Sequence, residues 1–189
     1  RLCHSFLELS CMASFSDAHE CDEIPIIAAN MHRMILPRQS QIWAVVKAGQ
    51  PLQKLYYQIC SGLLGRLCFS GEPDALSAAQ WTVMDEGTAF YGKAASIIDH
   101  GVSQRFGSRI VSYRAPRGWQ AVVRRGETQT LVVVHTFGAA PEAVTLPVGG
   151  KIAAQFMRED LTATHLDGQL TVHGLTDFDA AAFILENEV

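Results

Sequence analysis

The stretch SFSDAHE, residues 14–20, places Asp17, His19 and Glu20 within four positions, directly after the apolar run CMASF. A carboxylate held at the end of a strand can donate and accept protons. A neighbouring imidazole tunes it, lowering its pKa when charged and hydrogen-bonding to it when neutral. The plainer alternative is a strand-end or capping aspartate. Ser16, Asp17 and His19 also have the residue types of a hydrolytic triad, but triads draw on distant segments and three neighbours in one turn do not converge in that geometry. The histidines (His4, His19, His32, His100, His135, His165 and His173) show no HExxH or HxH spacing, so no metal is expected.

The elements that must position Asp17 follow from periodicity. CMASF (11–15) reads as a strand. Ile24, Ile27, Met31 and Met34 recur at helical spacing, with Asp22 as N-cap, Pro25 in the first turn and Pro37 as the stop. QIWAVV (41–46) is an almost continuous apolar run, as expected for a strand buried on both faces. Pro51 opens a second helix with Leu52, Leu55, Tyr56, Ile59 and Leu63 on its apolar line. LCF (67–69) is a third strand. A long helix then runs from about Ser77 to Asp99, lined by Trp81, Met84, Tyr91, Ala95 and Ile98, with Gly101 as C-cap. The order β-α-β-α-β-α with short connections predicts a parallel sheet with helices outside it. Three such units neither close a barrel nor complete a doubly wound sheet, so residues 1–101 read as part of a larger α/β unit.

After Gly101 the helical period disappears. RIVSYRA, GWQAVVR, QTLVVVHTF, GKIAAQFM, QLTVHG and DAAAFILE are strand-like runs separated by turn residues. Turn signals every ~8–12 residues predict an antiparallel sandwich over residues 102–189, a β domain joined to the first half through the long helix.

SFSDAHE, IPIIAANMHRMILPRQSQIWAVV and KLYYQICSGLLGRLCFSGEPDALSAAQWTVMDEGTAFYGKAASIIDHG together resemble the closing part of the α-galactosidases of glycoside hydrolase family 36, over roughly residues 10–101. LLGRLCFSG, LSAAQW and the FY pair of the following helix are the most specific segments. The resemblance implies an α/β plus all-β chain: the C-terminal part of a TIM (β/α)8 barrel, about three of its eight units, followed by an antiparallel β-sandwich. It further implies a retaining glycosidase that acts on an α-galactoside oligosaccharide with two carboxyl groups ~5–5.5 Å apart and no cofactor. Asp17, in Phe15-Ser16-Asp17, matches the first aspartate of the family's Ser-Asp-Asp-Thr-Asp motif, which holds the acid/base. Ala18 replaces the second aspartate, and His19 follows. The family's nucleophile lies on an earlier strand and matches no residue of this chain, so the chain alone is expected to be inactive. Where the family usually has Ser-Gly-Asp after the last barrel strand, this sequence has Ser70-Gly71-Glu72-Pro73. His19, Ser70 and Glu72 are the candidate sugar contacts, set against turn or capping roles for the last two.

Composition narrows the partners. The chain has 189 residues, 48% hydrophobic and 18% charged, which excludes a disordered chain. Its formal net charge of −4 gives no general attraction for nucleic acid or anionic membrane. No apolar run approaches the ~20 residues of a membrane span. Five cysteines without a CxxC pair predict free thiols in a reducing compartment, hence a cytoplasmic protein, with Cys11 and Cys68 in the core. A chain that opens at Arg1 without methionine reads as an internal fragment. Trp43, Trp81 and Trp119 are expected in the core, although tryptophan faces also stack on sugars. Arg105, Arg109, Arg114, Arg117, Arg124 and Arg125 make the start of the second half locally basic and read as a solvated sheet face, with a homo-oligomer contact as the alternative. The rival to a glycosidase fragment is a non-catalytic carbohydrate-binding or structural β module carrying a barrel remnant.

Overall fold

The computed structural model describes residues 7–14 and 21–187. Strands β1 (Ala13–Ser14), β2 (Ser40–Val46) and β3 (Arg66–Gly71) pair in parallel, in the order β1-β2-β3. Helices α1 (Ile24–Met31), α2 (Leu52–Gly62) and α3 (Ala78–His100) follow the three strands. The rest is antiparallel: β4 (Val102–Gly107), β5 (Trp119–Arg125), β6 (Gln129–Thr136), β7 (Ala143–Pro147), β8 (Lys151–Phe156), β9 (Thr162–Leu166), β10 (Gln169–His173) and β11 (Ala180–Glu186). They form a five-stranded sheet, β4-β5-β6-β11-β8, and a three-stranded sheet, β7-β10-β9. The chain is thus a mixed α/β protein with mostly antiparallel strands, arranged as a sandwich.

The central strands β5, β6 and β11 of the five-stranded sheet are buried on both faces. Val122, Leu131, Val133, Ala182 and Ile184 point to one side and join a core with Leu55, Ile59 and Leu63 of α2 and Phe90, Ala94 and Ile97 of α3. Their neighbours Ala121, Val123, Val132, Val134 and Phe183 point to the other side and join Val144, Leu146, Leu170 and Val172 of the three-stranded sheet. This two-sided burial is why residues 129–137 show no polar alternation. It also means that both halves of the chain contribute to one apolar core.

Several expectations need correction. RIVSYRA is not a strand; the first antiparallel strand is Val102–Gly107 instead. Helix α1 is short, and Glu23, not Asp22, occupies its N-cap. Its packed side chains are Ile24, Ile26, Ala28 and Ala29, whereas Met34 is 52% exposed. Trp81 is 43% exposed; the packed line of α3 runs through Val83, Met84, Gly87, Phe90 and Ala94. Trp119 does pack against the inter-sheet core. Cys11 is exposed and Cys68 is half-buried, leaving Cys60 as the fully buried thiol among the described residues. Gly101 is the C-cap of α3 but has an ordinary φ of −73°. Glycine is needed there for space: a Cβ would lie 2.6 Å from the Ile97 carbonyl oxygen and 2.7 Å from Arg124 Cγ.

Arg124 corrects the solvated-face reading of the arginines, since it is 1% exposed. Its Nη2 donates to the Leu64 carbonyl at 2.7 Å and to His32 Nε2 at 3.3 Å, and its Nε donates to Ser103 Oγ at 2.9 Å. Leu64 lies just beyond α2 and His32 is the C-cap of α1, so the guanidinium sits where helix carbonyl dipoles favour a cation. Burial lowers Arg124 to about 10. Two histidines share this buried layer. His32 is pushed down to about 3 by burial and by Arg124 beside it. His135, fully buried with Nε2 3.2 Å from Ser61 Oγ, is pushed down to about 3 by burial.

Both histidines are therefore neutral in the folded chain, with folded pKa values below the unfolded one. Their contribution to stability is complete above about pH 6.5 and is lost as pH falls, by up to ~1.4 kcal/mol per unit for each group. Denaturant midpoints between about pH 6.5 and 5 should fall steeply, and the slope should be roughly halved in His135→Gln; equal slopes in the two proteins would refute this origin.

Candidate functional site

Because β2 and β3 are parallel and in register, their C-terminal ends, at Val46 and Gly71, lie along one edge, whereas Ser14 of β1 pairs level with Gln41, near the start of β2. Alternation divides β2 between two faces. Ile42, Ala44 and Val46 are buried with the helices, whereas Gln41, Trp43 and Val45 are half-buried on the opposite face. Register places Cys68 beside Trp43 and Ser70 beside Val45. Trp43 Nε1 donates to Ser14 Oγ at 3.0 Å, tying β2 to the last residue of β1. The expectation that Trp43 is a core residue and that β2 is buried on both faces is thus corrected: one face of the strand remains partly open.

The loop after β2 is held by three glutamines. Gln58 Oε1 accepts the Val45 N–H at 2.8 Å, and Gln58 Nε2 donates to Gln50 Oε1 at 3.3 Å. The Gln50 oxygen also accepts the Lys47 N–H at 3.1 Å. Gln80 Nε2 donates to the carbonyls of Lys47 and Gln50, both at 3.2 Å. Gln58 and Gln80 are buried. Their amides give the Val45 N–H and the Lys47 and Gln50 carbonyls side-chain partners. Gln80 is also the third helical residue in a capping box with Ser77, a signature legible in Ser77-Ala78-Ala79-Gln80.

Ser70 is half-buried on the face shared with Trp43, and Glu72 is exposed at the rim. The Glu72 N–H donates to the Val46 carbonyl at 2.8 Å, and its carboxylate accepts the Ala48 N–H at 3.3 Å. That carboxylate therefore braces the adjoining loop. Between them, Gly71 has a φ of +112°, and a Cβ there would lie 1.9 Å from the Val46 carbonyl oxygen. Asp17 and His19 lie outside the described residues. The structure thus brings Ser14 and Trp43 into contact, and places Ser70 and Glu72 at the C-terminal ends of β2 and β3. Sequence reasoning missed Ser14 and the glutamine braces.

Behind the strand ends, a cavity of about 220 Å³ is lined by Cys21, Asp22, Pro51, Gln53, Lys54, Tyr57 and Phe178. Burial pushes the Cys21 thiol up to about 12, so it is no ready thiolate. Gln53 Nε2 donates to Thr176 Oγ1 and to the Asp177 carbonyl, docking the loop before β11 onto the start of α2. Among the described residues, no three His, Cys, Asp or Glu side chains gather to hold a metal ion, and no helix is long and apolar enough to cross a membrane.

Gly71→Ala should cost on the order of 2 kcal/mol, because both the positive φ and the Val46 carbonyl oppose a side chain. Gly92→Ala, in the interior of α3 with nothing within 4 Å of the added carbon, should instead stabilise by about 0.5–1 kcal/mol. Urea unfolding of the two variants checks the contrast; similar midpoints would contradict it.

No protein-family profile matches the chain, and no curated protein matches it in sequence. Solved structures do. The galactosidase domain of the alpha-galactosidase-sucrose kinase AgaSK superposes with a TM-score of 0.62 at 16% identity, covering 90% of this chain and 25% of that one. The family 36 alpha-galactosidase AgaA from Geobacillus stearothermophilus gives 0.59 at 16% identity with the same coverages. An Anoxybacillus alpha-amylase gives 0.52 at 14% identity, over 79% of this chain and 38% of that one. These are likenesses of fold, and this chain spans about a quarter of the length of the two galactosidase structures.

Proposed function

We propose that the chain is the closing part of an α-galactosidase-like retaining glycoside hydrolase. Residues 1–101 are the last βα units of a TIM (β/α)8 barrel, and residues 102–189 are the sandwich packed against it. The observation that carries this reading is the half-open face of β1-β2-β3. Helices cover one side, while Trp43, Cys68 and Ser70 stand on the side that a closed barrel would enclose. The similarity to the two galactosidase structures over 90% of the chain supports the same arrangement.

In this reading Asp17 is the general acid/base. In sequence it follows Ser14 of β1 by three positions, and barrel enzymes carry their chemistry at the C-terminal ends of their strands. As an acid it protonates the departing glycosidic oxygen; as a base it then takes a proton from the water that releases the sugar. His19 tunes that carboxyl, and Ser70 and Glu72 contribute polar groups at the rim. The nucleophilic carboxylate comes from a part of the protein that this chain does not include. The Trp43–Ser14 hydrogen bond holds the strand end from which the Asp17 segment leaves. The protein then works on a neutral oligosaccharide substrate in the cytoplasm, without a cofactor.

The test uses the longer parent protein. Asp17→Ala should lower kcat on α-galactosides with poor leaving groups by about 10²–10⁴-fold. Azide should restore part of the rate where the leaving group needs no acid. Unchanged kinetics would reject Asp17, and absence of any galactoside hydrolysis by the parent would favour the non-catalytic module.

A further inference from the structure

Charge is unevenly spread along this chain. Although the net charge is −4, residues 24–71 and 100–126 contain no aspartate or glutamate, and the second stretch carries six arginines. The two stretches meet around α1. Near the end of that helix, Asn30 donates Nδ2 to the Tyr113 hydroxyl at 2.7 Å. On β5, Gln120 and Arg124 reach Pro25 and His32 at opposite ends of the helix. Register pairs Arg105 of β4 with Val122, midway between those two residues and on the same side, so Arg105 stands beside α1.

Arg105 is half-buried and fixed by two neutral acceptors. Its Nη2 donates to the Ser108 carbonyl at 2.9 Å and its Nε to Gln120 Oε1 at 3.4 Å, while Nη1 takes no part in either bond. Burial lowers its pKa and the like charge of Arg33 lowers it further, whereas the Tyr113 phenol raises it. Arg33 lies just past α1 and is exposed. Among the described residues the ion pairs are made by Arg158 alone, so no carboxylate offsets these charges. Arg124, on the same flank, also has only neutral partners, and its buried Nη1 has none among the described residues. The carbonyls that end a helix supply a partial charge of about −0.5, less than one guanidinium requires. Guanidiniums held close together, partly buried and with N–H groups to spare, are complementary to an anion.

We infer that Arg33, Arg105 and Tyr113 form a binding site for a phosphate-class oxyanion at the end of α1. The guanidinium forks supply N–H donors, and the Tyr113 hydroxyl, which accepts from Asn30, keeps its own proton to donate. A doubly charged tetrahedral anion balances two guanidiniums; a neutral hydroxyl compound would leave both charges unmet. Arg109, Arg114 and Arg117, exposed in the 108–117 loop, raise the surrounding potential, which speeds capture of an anion without fixing it. The inference does not rest on the role given to Asp17.

The whole chain is titrated at constant ionic strength with inorganic phosphate and sulfate, and with chloride as control, by calorimetry and phosphorus NMR. Phosphate and sulfate should bind saturably, and chloride should not. The double variant Arg33→Gln/Tyr113→Phe should weaken phosphate binding by about tenfold or more. Arg109→Gln/Arg114→Gln removes two charges rather than one, yet should weaken it by less than about threefold, since these side chains act only through a screened potential. All four side chains are exposed, so thermal melting without phosphate should match the unaltered chain. Should the first double variant melt early, Arg33→Gln alone takes its place with the same expectation. A short DNA duplex and vesicles of equal parts phosphatidylserine and phosphatidylcholine form separate arms. No saturable phosphate binding, equal losses in the two double variants, or binding confined to the duplex or the vesicles would each overturn the inference.

Discussion

The structure depends on polar side chains that rise from an otherwise apolar sheet and grip the ends of helices. On the helix-facing side of β5, Gln120 donates to the Pro25 carbonyl at the start of α1, and Arg124 donates to the Leu64 carbonyl beyond α2. On β6, His135 lies against Ser61 and the Tyr57 carbonyl of α2. Each contact crosses at least 60 residues of sequence. Apolar burial supplies the larger energy, roughly 1.5–3 kcal/mol for each large side chain withdrawn from water, but it is tolerant of sliding. Hydrogen bonds to specific carbonyls are not, because an unpaired buried donor costs about 1–3 kcal/mol. These groups therefore fix where the helices sit on the sheet, and with them the strand ends that the helices carry.

The same rule shapes the loop after β2. Its residues Lys47, Ala48 and Gly49 are exposed, and Gln50, Gln58 and Gln80 pin its backbone to α2 and α3. Glutamine suits this work since its amide both gives and accepts. Asp179 belongs to the same class at the other end of the molecule. Its buried carboxylate is raised above the usual range by desolvation, and is held down in part by backbone donors at Thr176 and Ala180 and by Arg158. That arrangement joins the loop before β11 to the turn after β8.

Much of this was legible in the sequence, and each misreading has its own physical cause. The alternation of helices with short strands to residue 101 could be read because α2 and α3 each keep an apolar line at helical spacing, and Ser77 and Gln80 mark the start of α3. Which line faces inward was misjudged where more than one surface covers an element. In α2 nearly every position is buried, Gln58 and Ser61 included, since the helix lies between two sheets. In β2 a run that looked buried throughout leaves Trp43 partly open, as hydrophobicity alone does not say which neighbour is present. Strands β4, β7 and β9 were not marked as separate runs: β4 and β9 are largely polar, and β7 is an apolar run of only five residues that ends at Pro147. Arg124 was read as surface because charge is usually outside, and nothing in the sequence announces the helix ends that receive it. The pair Asp17 and His19 rests on motif similarity alone.

Gly101 ends the last helix and starts the first antiparallel strand, pressed so close to Arg124 that no side chain fits. A junction of this kind is a weld rather than a linker. Duplication or exchange of the sandwich by itself would strip Val122, Leu131, Val133 and Ile184 of their cover and present an oily sheet to the cytosol or to any other aqueous phase. In evolution such a unit travels with the helices it leans on, or it does not travel.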